Sequence, residues 1–191
     1  LGAMVATAHT RDDQVETVAL RILRDAGPRG LAGLLAGAPD VVRPLLDVER
    51  RTVAGYAATR ALRWLEDPSN VAPRHRRNRV RHELLPALRA AHRAIDDELL
   101  AVAARAAAWR GDVEHFVDAN VALRRGAGGA FVVATRDLAR YDAEELAVLW
   151  PAIAARAGVR LDRRGTVRLV EFTMSIAAGA DVGAEIQLSG P

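Results

Sequence analysis

Apolar residues recur along this chain first at strand-like and then at helix-like intervals. Val5-Ala6-Thr7-Ala8 is short, apolar and partly β-branched, as the end of a buried strand is. From 12 to 25 the spacing changes. Val15, Val18, Ala19, Ile22 and Leu23 fall three and four apart, on one stripe of a helix. Gly27-Pro28 is expected to stop that helix, with Gly27 in the left-handed position past its end and Pro28 unable to continue it. Val41-Val42 reads as a second strand, followed by Arg43-Pro44 and a helix over 49–62. Strand, helix, strand, helix is the rhythm of an α/β layer.

After the turn-rich Asp67-Pro68-Ser69-Asn70 the pattern becomes mainly helical. Val80, Leu84 and Leu88 predict a helix over 78–91. Ile95, Leu99, Val102, Ala106, Trp109, Val113 and Phe116 then alternate by four and three, which predicts a long helix packed along a neighbour. Gly111 is its weak point, costing about 1 kcal/mol relative to Ala. Arg125-Gly126-Ala127-Gly128-Gly129 reads as a loop, and Phe131-Val132-Val133 as a strand. Leu146, Leu149, Trp150 and Ile153 mark an amphipathic helix that Pro151 perturbs. Glu185-Ile186-Gln187-Leu188 alternates like a strand just begun, and both ends read as interrupted.

Composition narrows the function. Half of the 191 residues are hydrophobic and 27% are charged, the proportions of a soluble globular protein. No apolar run reaches the roughly 18 residues of a membrane span, and the N-terminus lacks the order of a signal peptide, so a cytoplasmic protein with no membrane partner is expected. Cysteine is absent, which removes disulfides, thiolate zinc sites and sulfur carriage. Lysine is absent too. All 27 strongly basic residues are Arg, which excludes a phosphate-loop lysine and any covalent lysyl intermediate. The net charge is only +3, yet the sequence pI is about 10.4.

Three segments could carry chemistry. In His9-Thr10-Arg11-Asp12-Asp13-Gln14-Val15-Glu16-Thr17, Thr10 and Asp13 have the spacing of a capping box, and on spacing alone capping is the commoner explanation. Asp13 and Glu16 nevertheless share a helix face near where His9 leaves the strand, at the strand end where α/β sheets place ligands. Carboxylates there suit a magnesium ion or an ammonium group. Arg74-His75-Arg76-Arg77-Asn78-Arg79-Val80-Arg81-His82 holds five Arg and two His with no acid between them. Most charge runs are solvated faces, but this one sits at a helix start, where cations oppose the dipole, and phosphate would relieve that. Gly27-Pro28-Arg29-Gly30-Leu31-Ala32-Gly33 follows a helix instead of a strand, so it reads as a stop and turn rather than a phosphate loop.

Taken in order, Ala8-His9-Thr10-Arg11-Asp12-Asp13-Gln14-Val15-Glu16-Thr17, Gly30-Leu31-Ala32-Gly33, Arg43-Pro44-Leu45-Leu46, Glu66-Asp67-Pro68-Ser69-Asn70 and Arg77-Asn78-Arg79-Val80-Arg81 resemble tRNA(Ile)-lysidine synthetases over roughly residues 4–90. The resemblance implies the α/β remnant of a parallel-sheet ATP-pyrophosphatase domain, Rossmann-like, followed by a mainly α-helical region. Its parts are 1–77 for the end of that domain, 78–125 for long linking helices and 126–191 for a small tRNA-facing domain. It implies adenylation of the wobble cytidine of tRNA(Ile) with a CAU anticodon, then attack by free L-lysine, with ATP and Mg2+ as cofactors, and it admits a homodimer. It assigns Asp13, Glu16 and Arg79 to the substrate lysine, His9 and Asp12 to the neighbourhood of ATP and magnesium, and Arg74, Arg76, Arg77 and Arg81 to tRNA or phosphate. Asn70 and Asn78 support the motifs, and no residue is assigned as a definite metal ligand.

Two departures accompany it. The family's Ser-Gly-Gly-x-Asp-Ser phosphate loop is expected upstream of Leu1, so these residues alone are expected not to turn over ATP. Arg24-Asp25 also stands where the family has Arg-Gly. Among alternatives, related tRNA-thiolating enzymes of the same group bring cysteines, which this chain lacks. A non-catalytic RNA-binding helical module gains nothing from carboxylates beside its phosphate site. A metal hydrolase needs a fuller ligand set than His9 and neighbouring acids.

Overall fold

The computed structural model describes residues 4–37, 40–65, 75–126 and 131–179. Asn70, Arg74, the turn at 66–70 and the strand expected at 185–188 lie outside the described residues. The chain divides into two compact units, Leu1–Arg110 and Gly111–Pro191.

In the first unit, β1 (Val5–Ala6) and β2 (Val41–Val42) pair in parallel, Val5 opposite Val41 and Ala6 opposite Val42. Between them run α1 (Arg11–Ile22) and the short α2 (Pro28–Leu31). The expected stripe on α1 holds over its first turns: Val15, Val18 and Ala19 are buried in a cluster with Val80, Leu85, Leu99 and Ala103, whereas Ile22 and Leu23 are exposed.

The stop after α1 differs from expectation. Ala26 N–H donates to Arg21 C=O at 2.9 Å and Asp25 N–H to Ile22 C=O at 3.0 Å, the two bonds of a Schellman motif. The left-handed residue is therefore Asp25, at φ 52°, and not Gly27, which has φ −64° and caps α2. Gly33 is the glycine that must be one. It has φ +62°, and a Cβ there would come within 2.6 Å of the Gln14 side chain. That carboxamide is buried and clamps the turn, donating to Ala32 C=O and accepting from Leu34 N–H.

The helix α3 (Arg50–Thr59) buries none of its residues. Next comes one helical run: α4 (Arg76–Arg79), a π-helical turn (Val80–Leu84) and α5 (Leu85–Ala91). Leu85 N–H reaches five residues back to Val80 C=O. The cause is Pro86, which has no N–H to offer the His82 carbonyl and whose ring would collide with it in an α-helix. The long helix α6 (Ile95–Asn120) passes through Gly111 unbroken, although the division between units falls there.

In the second unit, β3 (Leu123–Arg125) and β4 (Phe131–Val133) pair antiparallel, followed by α7 (Thr135–Leu138), α8 (Ala143–Arg156) and α9 (Arg163–Ala177). Val117, Leu138, Leu146, Leu149, Ile153 and Val170 form its core. The helix α8 runs through Pro151 and begins with a complete capping box between Asp142 and Glu145. Among the described residues, no helix is long and apolar enough to cross a membrane.

Candidate functional site

The chain leaves β1 through Thr7-Ala8-His9 and enters α1 at Thr10, a buried N-cap. Asp13 Oδ2 accepts from both the backbone N–H and the hydroxyl of Thr10, each at 2.8 Å, so the capping function of Asp13 is real. Only Oδ1 is left to face outward. The neighbouring Asp12 does a similar service elsewhere: its Oδ2 accepts from Arg50 N–H at 2.7 Å, at the first turn of α3. That bond sets the start of α3 beside α1 and brings the Arg50 side chain onto the same carboxylates.

Glu16 lies one turn beyond Asp13 and is almost completely buried, at 2% exposure. Three guanidiniums satisfy it. Arg81 donates from Nε to Oε1 at 2.6 Å and from Nη2 to Oε2 at 2.8 Å. Arg77 Nε reaches Oε2 at 2.9 Å, and Arg50 Nη1 reaches Oε1 at 3.3 Å. The same arginines serve Asp13 Oδ1, from Arg77 Nη2 at 2.8 Å and Arg50 Nη2 at 2.9 Å, with Arg81 Nη2 at 3.6 Å. Arg77 and Arg81 lie four apart, and the π-helical turn between Arg79 and Leu85 carries Arg81 on its first full turn toward α1.

Charge follows from this geometry. Burial alone would raise both carboxyl groups. For Asp13 the hydrogen bonds from Thr10 and the charges of Arg50 and Arg77 outweigh it and hold the group below the usual carboxylate range. For Glu16 the Arg81 and Arg77 hydrogen bonds and the Arg81 and Arg50 charges do the same. The hydrogen bonds to Glu16 raise Arg81 in turn, despite its partial burial. Three cations against two anions leave one net positive charge.

Above the cluster lies a polar recess of about 360 Å³, lined by Ala8, His9, Asp13, Arg77, Asn78 and Arg81. His9 Nδ1 is 2.9 Å from Thr7 Oγ1. The side chains facing this recess suit an anionic group such as a phosphate or carboxylate. They do not make a magnesium site: the oxygens of Asp13 and Glu16 are engaged by guanidiniums and Thr10. Among the described residues no group of three or more His, Asp or Glu is placed to hold a metal ion.

Of the residues expected from sequence, the structure thus brings together His9, Asp13, Glu16, Arg77, Asn78 and Arg81, with Asp12 adjoining through α3. Asn78 is buried at the foot of the recess. Arg79 is placed elsewhere. It pairs with Glu83 at 3.6 Å and lines a second pocket together with Arg76. Two contributors were not anticipated, Arg50 and Gln14. Arg50 carries no motif of its own and is brought to the site by the long-range bond from its N–H to Asp12, for which the sequence offers no local signal.

Residues 2–88 match the sequence profile described as the PP-loop domain. The chain is 49% identical over 85 residues to tRNA(Ile)-lysidine synthase of Treponema pallidum (strain Nichols), covering 44% of this chain and 18% of that protein. To the tRNA(Ile)-lysidine synthase of Alkalilimnicola ehrlichii it is 50% identical over 91 residues, 46% of this chain and 20% of the relative. For the protein of the same name from Solibacter usitatus the values are 41% over 116 residues, 58% and 26%. The chain thus spans between about a fifth and a quarter of the length of these relatives. Residues 2–88 are thus similar to a PP-loop domain and to part of tRNA(Ile)-lysidine synthases, and the entire cluster from His9 to Arg81 falls inside that match.

Proposed function

We propose that the chain serves an ATP-dependent tRNA-modifying ligase that converts the wobble cytidine of tRNA(Ile) to lysidine, and that Asp13 and Glu16 form the subsite for the substrate lysine. The observation that carries this is the paired carboxylates near the end of β1, kept ionised by guanidiniums, with Asp13 lining the polar recess and Glu16 buried beside it. Asp13 Oδ1 is the exchangeable end. An incoming ammonium takes the place of the Arg77 and Arg50 donors there, while Arg81 keeps Glu16 fixed through its two bonds. The released Arg77 then faces the recess, where the lysine carboxylate supplies its counter-charge. Adenylation of the cytidine precedes this step in the scheme that the resemblance implies, with ATP as the adenylate donor.

The reading is tested by titrating L-lysine against norleucine, which has the same backbone and α-ammonium but no side-chain ammonium. Lysine is expected to bind and norleucine to bind far less. Removing a carboxylate from a desolvated charge contact costs on the order of 2–5 kcal/mol, so Asp13→Asn weakens lysine at least tens-fold. Equal binding of the two amino acids would overturn the assignment.

A further inference from the structure

The second pocket is lined by residues from the last turn of α1 and just after it, and from the helical run 76–84, and shares no lining residue with the recess. Its volume is about 620 Å³, within the roughly 300–1,000 Å³ of small-ligand sites. Leu20, Leu23, Val80 and Leu84 give it an apolar floor, and Arg24, Arg76, Arg79 and Glu83 form its rim. The only ion pair among these rim residues joins Arg79 to Glu83. Arg24 and Arg76 face it as exposed cations, so the rim carries two net positive charges (three Arg, one Glu). Leu23 remains 63% exposed on the floor.

The pocket combines an apolar floor with a cationic rim. It suits a ligand with a flat apolar body and an anionic edge. Guanidinium planes stack on rings and fork onto phosphate, and aliphatic side chains cover a base face at little entropic cost. Base-paired RNA hides both faces of its bases in the stack, whereas an unpaired nucleotide can offer one.

We infer that this pocket binds one unpaired nucleotide of an RNA, its base on Leu20 and Leu23 and its phosphate on Arg24 and Arg76. The inference rests on the RNA-modifying role proposed above and adds to it a second RNA contact, away from the carboxylate cluster.

The test is fluorescence anisotropy with an unstructured RNA 10-mer and a blunt-ended RNA duplex, compared at equal phosphate concentration. The chain is expected to prefer the unpaired RNA. Leu23→Ser removes apolar surface beneath the base, so it should weaken the 10-mer about fivefold and leave the duplex unchanged. Arg24→Gln should weaken both. Leu23 is largely exposed, so the variant keeps the fold, which its melting temperature checks. Equal affinity for the two RNAs, or an equal loss on both in Leu23→Ser, overturns the inference. A Leu23→Ser variant that loses affinity for AMP and none for RNA also overturns it, in favour of a free nucleotide. If L-lysine binds and unpaired RNA is not preferred, the pocket alone fails. If neither lysine nor RNA binds, the functional reading fails with it.

Discussion

Arg81 grips Glu16 through both of its carboxylate oxygens, at 2.6 and 2.8 Å, although the two residues are 65 positions apart. One partner is buried and the other is 22% exposed, so the pair ties the π-helical turn to the floor of α1. Removing the guanidinium in Arg81→Leu leaves Glu16 with Arg77 and Arg50 only. Breaking a buried pair outright costs about 3–5 kcal/mol, and the two remaining donors bring the expected loss to about 2 kcal/mol. Urea unfolding of the two proteins side by side measures it. No change in midpoint would mean that Arg77 and Arg50 suffice.

Acid should undo the same tie. Asp13 and Glu16 are both held below their ordinary range in the folded chain. A depressed carboxyl group contributes stability that is complete above its unfolded value and lost as pH falls through the folded one. The loss therefore begins near pH 4 and deepens below it. Glu16→Gln should flatten the stability profile between about pH 5 and 3 while lowering it at neutral pH. A variant with the parent's slope over that window contradicts the assignment.

Two backbone positions give opposite signs. Asp25 is left-handed without being glycine, so Asp25→Gly should stabilise by roughly 0.5–1 kcal/mol. Gly33→Ala adds a methyl within 2.6 Å of Gln14 at positive φ and displaces a buried carboxamide, which should cost about 2–3 kcal/mol. Thermal melts of both variants are sufficient.

The arginine run divides by what its members already hold. Arg76 and Arg79 are exposed, whereas Arg77 is engaged with Asp13 and Glu16. Replacing Arg76 and Arg79 by Gln should flatten the salt dependence of RNA binding by a log–log slope of roughly 0.7 per lost phosphate contact. Arg77→Gln should instead lower stability and leave that slope alone. A slope that responds to Arg77 and not to Arg76 would invert the assignment.

Much of the first unit was legible because its signals are local. The apolar spacing of Val15, Val18 and Ala19 placed α1, and Thr10 with Asp13 gave its cap. What escaped depends on long-range partners or on one residue's missing hydrogen. Arg50 joins the site only because Asp12 caps α3, 38 residues away. The π-helical turn follows from Pro86, which periodicity does not register. Gly27 drew attention as the helix stop, yet Asp25 can take the left-handed position because short acidic side chains tolerate it. The same periodicity placed α8 correctly but passed over α9, whose first turn is capped by Asp162.

Among the described residues, every cation touching Asp13 and Glu16 is a guanidinium, and none is an amine. Guanidinium groups keep their proton to beyond about pH 12, and these carboxylates take one up only in acid. Between those limits the cluster is silent toward protons. A change of pH across that interval therefore alters ligand binding through groups other than these five charges.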